Sequence, residues 1–247
     1  MFAETFNVVL VSTYLLFALF IRERAAVQIT DLRVPERVAK GTPALLDCEY
    51  TLDADVEKGF VLKWYFDTST LVYQWILGRK PDVFGMLKGQ LDLDYSMSNE
   101  TTEPNYRALY VRNASIVLSG NYSCVVSTYT SEDKQTKRML VFELPENVSI
   151  SQNLSNDFIP QGICTADRVF PLPKVTIFAD KRKLDTSVVA LNDYTYGDGS
   201  YSIKAVANIS TDSFVDKISC EVYIAEGNYL TRVEKIYYPL VFASSAK

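Results

Sequence analysis

The side chains of this chain whose types and spacing could do chemistry are four cysteines, Cys48, Cys124, Cys164 and Cys220, with Tyr122 two residues before the second. Thiols can ligate zinc, cycle through redox states, attack carbonyls or oxidise to disulfides. No C-x-x-C pair occurs, so neither a zinc knuckle nor a thioredoxin-type pair is encoded. The 247 residues contain no histidine, which removes Cys-His and Ser-His-Asp nucleophiles together with the commonest transition-metal ligand. Disulfides remain as the simple reading, and an even set of four leaves three pairings open.

Carboxylates offer less. Asp53, Asp55 and Glu57 cluster as oxygen donors of the kind calcium takes, but without the glycine and bidentate-glutamate spacing they read as a solvated loop. Leu91 to Asp94 (L-D-L-D) with Tyr95 imitates an acid pair for glycoside chemistry, and strand alternation explains it better. A glycine-rich phosphate loop and a nucleophile elbow are both missing, so no cofactor is expected and an enzyme is disfavoured. The formal charge of −5 and a pI near 5 give no reason to expect nucleic acid or an anionic membrane as partner.

The compartment follows from the N-terminus. Val8 to Ile21 is a 14-residue apolar run, too short for the ~20 residues of a spanning helix and suited to a signal-peptide core. Arg22 and Arg24 follow the run instead of preceding it, so cleavage near Ala25 or Ala26 competes with an uncleaved signal anchor. Either reading places the rest outside the cytosol. The last residues hold neither a second apolar span nor a GPI tail, which leaves the N-terminus as the expected route to a membrane. Six N-x-S/T acceptors agree with an extracellular chain: Asn99, Asn113, Asn121, Asn147, Asn153 and Asn208.

The elements that must position the cysteines are short runs between turn signals, with no sustained helical period, which predicts an all-β class. Leu45 to Tyr50 alternates, placing Leu46, Cys48 and Tyr50 on one face. In Phe60 to Phe66, Leu62, Trp64 and Phe66 share a face opposite Lys63 and Tyr65, and Leu71 to Ile76 repeats the pattern with Tyr73 and Trp75. Tyr122 and Cys124 share a face of the strand Asn121 to Ser127. A polar loop from Thr130 to Thr136 precedes a last strand, Arg138 to Phe142.

Cys48, Trp64 and L-Y-V-R-N-A-S-I-V-L-S-G-N-Y-S-C resemble an immunoglobulin domain. The resemblance implies a Cys48–Cys124 bridge packed on Trp64 and a corner in which the Tyr122 hydroxyl bonds backbone upstream. The long gap between these cysteines and the extra Tyr73/Trp75 strand are similar to the variable type. Leu118 stands where the family's D-x-G-x-Y-x-C carries its acid, so the usual salt bridge at that end is not expected. Cys164 and Cys220, 56 apart, resemble a constant-type pair, with Ile177 at the tryptophan position and no corner tyrosine before I-S-C. The expected architecture is a signal peptide (1–26), a variable-type domain (27–144) and a constant-type domain (145–247), with a short connection at Glu143 to Asn147 and limited bending.

A narrower resemblance lies in L-R-V-P-E-R-V-A-K-G, L-D-C-E-Y-T-L and V-L-K-W-Y-F-D, which are similar to the first domain of the insect beaten path family. It implies a secreted or tethered neuronal recognition protein, acting in axon guidance or synaptic partner choice, with sidestep-type immunoglobulin-superfamily receptors as partners. A soluble humoral immune or pattern-binding factor is the alternative on the same fold. Variable-type domains pair through the sheet of strands G, F, C and C′, forming homo- or heterodimers. Its outward residues here would be Lys63, Tyr65, Tyr73, Trp75, Val125, Ser127 and Arg138, types that dominate interface hot spots or surround them. The opposite register turns Tyr73 or Trp75 into the core. Ser131 to Arg138 reads as a mixed-charge F-to-G loop. Asn99, Asn113 and Asn121 are expected off the G-F-C-C′ face, so that trimming glycans leaves partner affinity unchanged.

Overall fold

The computed structural model describes residues 27–52, 59–95, 106–192, 197–210 and 214–239. The apolar N-terminal run, the Asp53/Asp55/Glu57 cluster and Asn99 lie outside the described residues.

The first half forms β1 (Val27–Arg33), β2 (Arg37–Ala39), β3 (Ala44–Leu52), β4 (Val61–Phe66), β5 (Thr70–Ile76), β6 (Asp82–Val83), β7 (Leu109–Val111), β8 (Gly120–Ser127) and β9 (Glu132–Phe142). They make two sheets, β1-β3-β7 and β2-β9-β8-β4-β5-β6. The second half forms β10 (Asn147–Leu154), β11 (Pro160–Val169), β12 (Lys174–Ala179), β13 (Arg182–Lys183), β14 (Ser187–Asn192), β15 (Tyr201–Asn208), β16 (Lys217–Ile224) and β17 (Tyr229–Ile236). These pair as β10-β11-β15-β14 and β13-β12-β16-β17.

Each half closes its own core because its sheets each carry an apolar side, formed by rows such as Leu46/Cys48 and Leu62/Trp64, that the other sheet must cover. In the first core Leu46, Cys48, Leu62, Trp64, Tyr122, Cys124 and Val126 are all buried. Cys48 and Cys124 are bridged across the sheets with Cα atoms 6.4 Å apart, and Trp64 lies in register with Cys124. Closing a 76-residue loop is worth about 4.5 kcal/mol in the chain-entropy model. In the second core Cys164 and Cys220 are bridged, with Ile177 beside Cys220 in register and fully buried. An isoleucine therefore fills the place that Trp64 fills in the first half.

Local chemistry explains two of the turns. Gly41, at φ +85°, takes the left-handed conformation that K-G-T-P needs to swing β2 into β3. Gly120 meets the Phe66 ring so closely that a Cβ would sit 2.4 Å from it. The Ser-Gly pair before Tyr122 is thus a seat for an aromatic ring as well as a turn.

The charged run Glu132 to Arg138, read as a loop, belongs to strand β9, and the β8-to-β9 turn is confined to Thr128–Ser131. Its inward polar residues are used: the Ile29 N–H donates to Asp133 at 2.8 Å and the Gln135 amide donates to the Ile29 carbonyl at 3.1 Å. These two bonds satisfy backbone where the β1–β3 register shifts beyond Ile29. The buried Asp47 carboxylate on β3 accepts from Nε and Nη2 of Arg107, at 2.9 and 3.1 Å.

The connection between the halves is also bonded. Glu143 and Phe170 exchange backbone hydrogen bonds of 2.8 and 3.1 Å. Lys40, at the end of β2, reaches Glu143 at 2.7 Å and Asp198 at 2.6 Å, and Arg168 reaches the same Asp198 oxygen at 2.7 Å. On the other flank the Arg37 guanidinium donates to the Ala225 carbonyl at 3.4 Å, and Gly227 lies where a Cβ would be 3.0 Å from Phe142 and Leu144.

Candidate recognition face

The outer face of the six-stranded sheet can be read off its registers, since residues directly opposite on paired strands point the same way. One row runs Asp82, Gln74, Lys63, Val125, Lys134. A second runs Leu71, Tyr65, Ser123, Thr136, with the Ser123 and Thr136 hydroxyls 2.7 Å apart. A third runs Ile76, Val61, Ser127, Glu132. Arg138 and Asn121 form a last pair at the end nearest the second half.

Of the seven expected contact residues, Lys63, Tyr65 and Ser127 are half-buried on this face and Arg138 is exposed. Val125 is outward but only 7% exposed, set among its row neighbours. Tyr73 and Trp75 are corrections. Each is 2% exposed, because Tyr73 pairs with Trp64 and Trp75 with Leu62, which puts both rings on the core side. Their polar atoms are satisfied inward: the Tyr73 hydroxyl donates to the Tyr106 carbonyl at 2.8 Å, and the Trp75 indole to the Arg79 carbonyl at 3.1 Å. Burial pushes the Tyr73 phenol well above its ordinary pKa, with nearby Tyr106 adding to the shift, so it stays a neutral donor.

Leu71, Gln74 and Ile76 take the outward places instead. A register shift between Trp64 and Tyr65 sets Tyr65 opposite Leu71, skipping Val72, which is fully buried. Both alternating sets of this strand hold apolar residues, so pattern alone could not choose between them. Lys134 was missed because its segment read as a loop.

Arg138 stands apart from the centre of the face. It lines a crevice of about 310 Å³ with Glu36, Arg37, Leu140, Ala225 and Glu226, where β2 and β9 meet the β16–β17 turn. The acceptors Asn113, Asn147, Asn153 and Asn208 are exposed and off the outer face of this sheet. Asn121 is exposed on that face, opposite Arg138, because it shares its strand parity with Ser123 and Val125. A glycan there would shade one end of the sheet, contrary to the expectation of a face clear of sugar.

The remaining motifs resolve simply. Asp92 accepts from Arg112 at 3.3 Å, and Tyr95 stacks on Tyr110 at 4.9 Å, in a turn following an isolated bridge between Leu91 and Val111. Among the described residues no cluster of acidic, histidine or cysteine side chains is placed to hold a metal. No helix there is long and apolar enough to cross a membrane.

No protein-family model matches the chain, and no curated protein sequence does. Solved structures do. Bovine butyrophilin superposes with a TM-score of 0.65 at 18% identity, over 83% of this chain and 95% of that one. The fold is immunoglobulin-like. The extracellular portion of mouse CD200RLa gives 0.53 at 13% identity, over 82% and 97% of the two chains. A chain from the complex of ICOS with ICOS-L and an anti ICOS-L VNAR domain gives 0.58 at 15%, over 83% and 100%.

On this fold the strand sets acquire their letters. The six-stranded sheet is A′-G-F-C-C′-C″, the arrangement of variable-type immunoglobulin domains, and β10-β11-β15-β14 with β13-β12-β16-β17 follows the constant-type division. The bridges Cys48–Cys124 and Cys164–Cys220 are the inter-sheet disulfides of the fold.

Proposed function

We propose that this protein is a secreted recognition molecule that binds another immunoglobulin-superfamily ectodomain through the outer G-F-C-C′ face of its first sandwich. The observation that carries this reading is the face itself. Two apolar pairs, Tyr65 with Leu71 and Val61 with Ile76, flank a middle row of Gln74, Lys63, Val125 and Lys134, with Ser127 beside Val61, on the widest sheet among the described residues. Aromatic and aliphatic side chains interleaved with polar ones on one open sheet are the composition of a protein–protein contact.

The apolar N-terminal run and the acceptor asparagines support secretion, with residues 1–26 removed and two domains, 27–144 and 145–247, remaining. Complex formation between ICOS and ICOS-L, on a similar fold, supports a partner of the same superfamily. The resemblance of residues 32 to 67 to the beaten path family supports a neuronal setting, axon guidance or synaptic partner choice, with sidestep-type receptors as the partner class.

The experiment is a binding screen of the glycosylated ectodomain, residues 27–247, in multivalent form against sidestep-type and other immunoglobulin-superfamily ectodomains. Binding that Tyr65→Ala abolishes, in a variant that unfolds like the wild type, supports the reading. Binding confined to microbial surfaces would replace it with the humoral one.

A further inference from the structure

We propose that the outer G-F-C-C′ face docks the acidic face of a different protein and is built against pairing with a second copy of this chain. The inference rests on the recognition reading above and adds the partner's chemistry. Lys63 and Lys134 stand on either side of Val125 in a single row across β4, β8 and β9. Two strand spacings put their Cα atoms roughly 10 Å apart, about one Debye length at physiological salt. Among the described residues neither lysine has a carboxylate within ion-pair distance, whereas Lys40, Lys217, Arg107 and Arg168 all do.

Two carboxylates share the face, but neither forms an ion pair with them. Asp82 ends the same row two strands beyond Lys63, and Glu132, opposite Ser127, is the outward neighbour of Lys134 two residues back along β9. Arg138 adds a further cation near the elbow, the bonded connection between the two halves, beside Glu36 and Glu226 of the crevice. A chain of formal charge −5 thus carries two ammonium groups without ion pairs on this face, Lys63 between the apolar pairs and Lys134 across Val125 from it. Carboxylates on a partner would complete the row, while the half-buried Tyr65 and Leu71 supply the apolar contact.

Symmetry disfavours a homodimer centred on this row. A two-fold pairing centred on Val125 would bring the Lys63/Lys134 pair of one copy over the same pair of the other. Like charges juxtaposed in a closing interface cost affinity and select against that partner. The same repulsion is absent against an acidic sheet.

The test uses the glycosylated ectodomain and a panel of purified immunoglobulin-superfamily ectodomains, half chosen for acidic G-F-C-C′ faces and half for neutral or basic ones. Binding is expected only in the acidic half. It should weaken at least tenfold, roughly, with Lys63→Glu plus Lys134→Glu, and again on raising salt from about 50 to about 500 mM. The wild type alone should sediment as a monomer. Should the double reversal fold poorly, Lys63→Gln plus Lys134→Gln should abolish most of the salt dependence instead. Binding that Tyr65→Ala removes but salt and both lysine pairs leave unchanged overturns this inference and leaves the recognition face standing. Binding confined to the neutral or basic half, or a wild-type dimer broken by Tyr65→Ala, does the same. No binding in either half overturns both readings.

Discussion

The Tyr122 hydroxyl donates to the Leu118 carbonyl oxygen at 2.9 Å, inside the core and four residues back along the chain. The bond fixes the path into β8 and so aims Cys124 at Cys48. Burial, and to a lesser degree the nearby Asp67, raise the Tyr122 phenol far above its ordinary pKa, so it remains a donor across any physiological pH.

Tyr122→Phe should therefore cost about 1–3 kcal/mol, the penalty for leaving the Leu118 carbonyl without its partner while the ring still packs against Phe66. Denaturant unfolding with both disulfides intact measures it. A loss below about 0.5 kcal/mol would mean the corner is held by ring packing alone.

Trp75→Ala should act on the fold and not on a contact surface. The side chain is 2% exposed and packs edge-on to Phe60 and Tyr106, with ring centroids at 5.9 and 6.1 Å. A loss of about 3–5 kcal/mol and a fall in secreted yield are expected. Tyr65→Ala, on the opposite side of the same sheet, should change stability by less than about 1 kcal/mol. Equal losses in the two variants would place Tyr65 in the core as well.

How much of this was legible is clearest at these aromatics. Cys48, Trp64 and Tyr122 announce themselves because each has a single environment that suits it, the seam between two sheets, and their spacing fixes the strands that carry them. Tyr73 and Trp75 do not, because the alternate set also holds apolar residues, Val72 and Ile76, and a bulge at Val72 breaks the count. The strand through Glu132 to Arg138 was hidden for another reason. Edge-sheet residues alternate charge with charge when even the inward side is polar, as Asp133 and Gln135 are where they bind the β1 backbone. The elbow was illegible in principle, since Lys40, Glu143, Arg168 and Asp198 meet only once both halves are folded.

That elbow gives a third prediction. Burial alone would raise the Asp198 carboxyl, but hydrogen bonds from Lys40 and Ser200 outweigh it and hold it well below its unfolded value of 3.8. A depressed carboxylate stabilises above its unfolded pKa and loses that contribution as pH falls through and beneath it. Small-angle scattering should thus show one fixed shape from about pH 7 down to about pH 5, with loosening only below about pH 4. Asp198→Asn should broaden the distribution of shapes at neutral pH. An unchanged scattering profile in that variant would assign the fixed angle to the contact of Gly227 with Phe142 and Leu144.

The acceptor at Asn121 gives a fourth. It shares the outer face with Tyr65 and Lys63, four residues along the strand from Val125, a distance of about 13 Å. Asn121→Gln should strengthen partner binding by roughly two- to tenfold through removal of a steric cost on association. Asn147→Gln, Asn153→Gln and Asn208→Gln, on the β10-β11-β15 sheet, should leave it unchanged. Affinity that responds to the second group and not the first would move the contact to the other sandwich.

The central claim is that the outer face of the six-stranded sheet is the binding surface. The most direct measurement compares partner binding by wild type, Tyr65→Ala and Tyr223→Ala, the last an exposed tyrosine on the β13-β12-β16-β17 sheet. Binding lost at least tenfold, roughly, in Tyr65→Ala and retained in Tyr223→Ala is the predicted result. Binding retained in Tyr65→Ala and lost in Tyr223→Ala would contradict it.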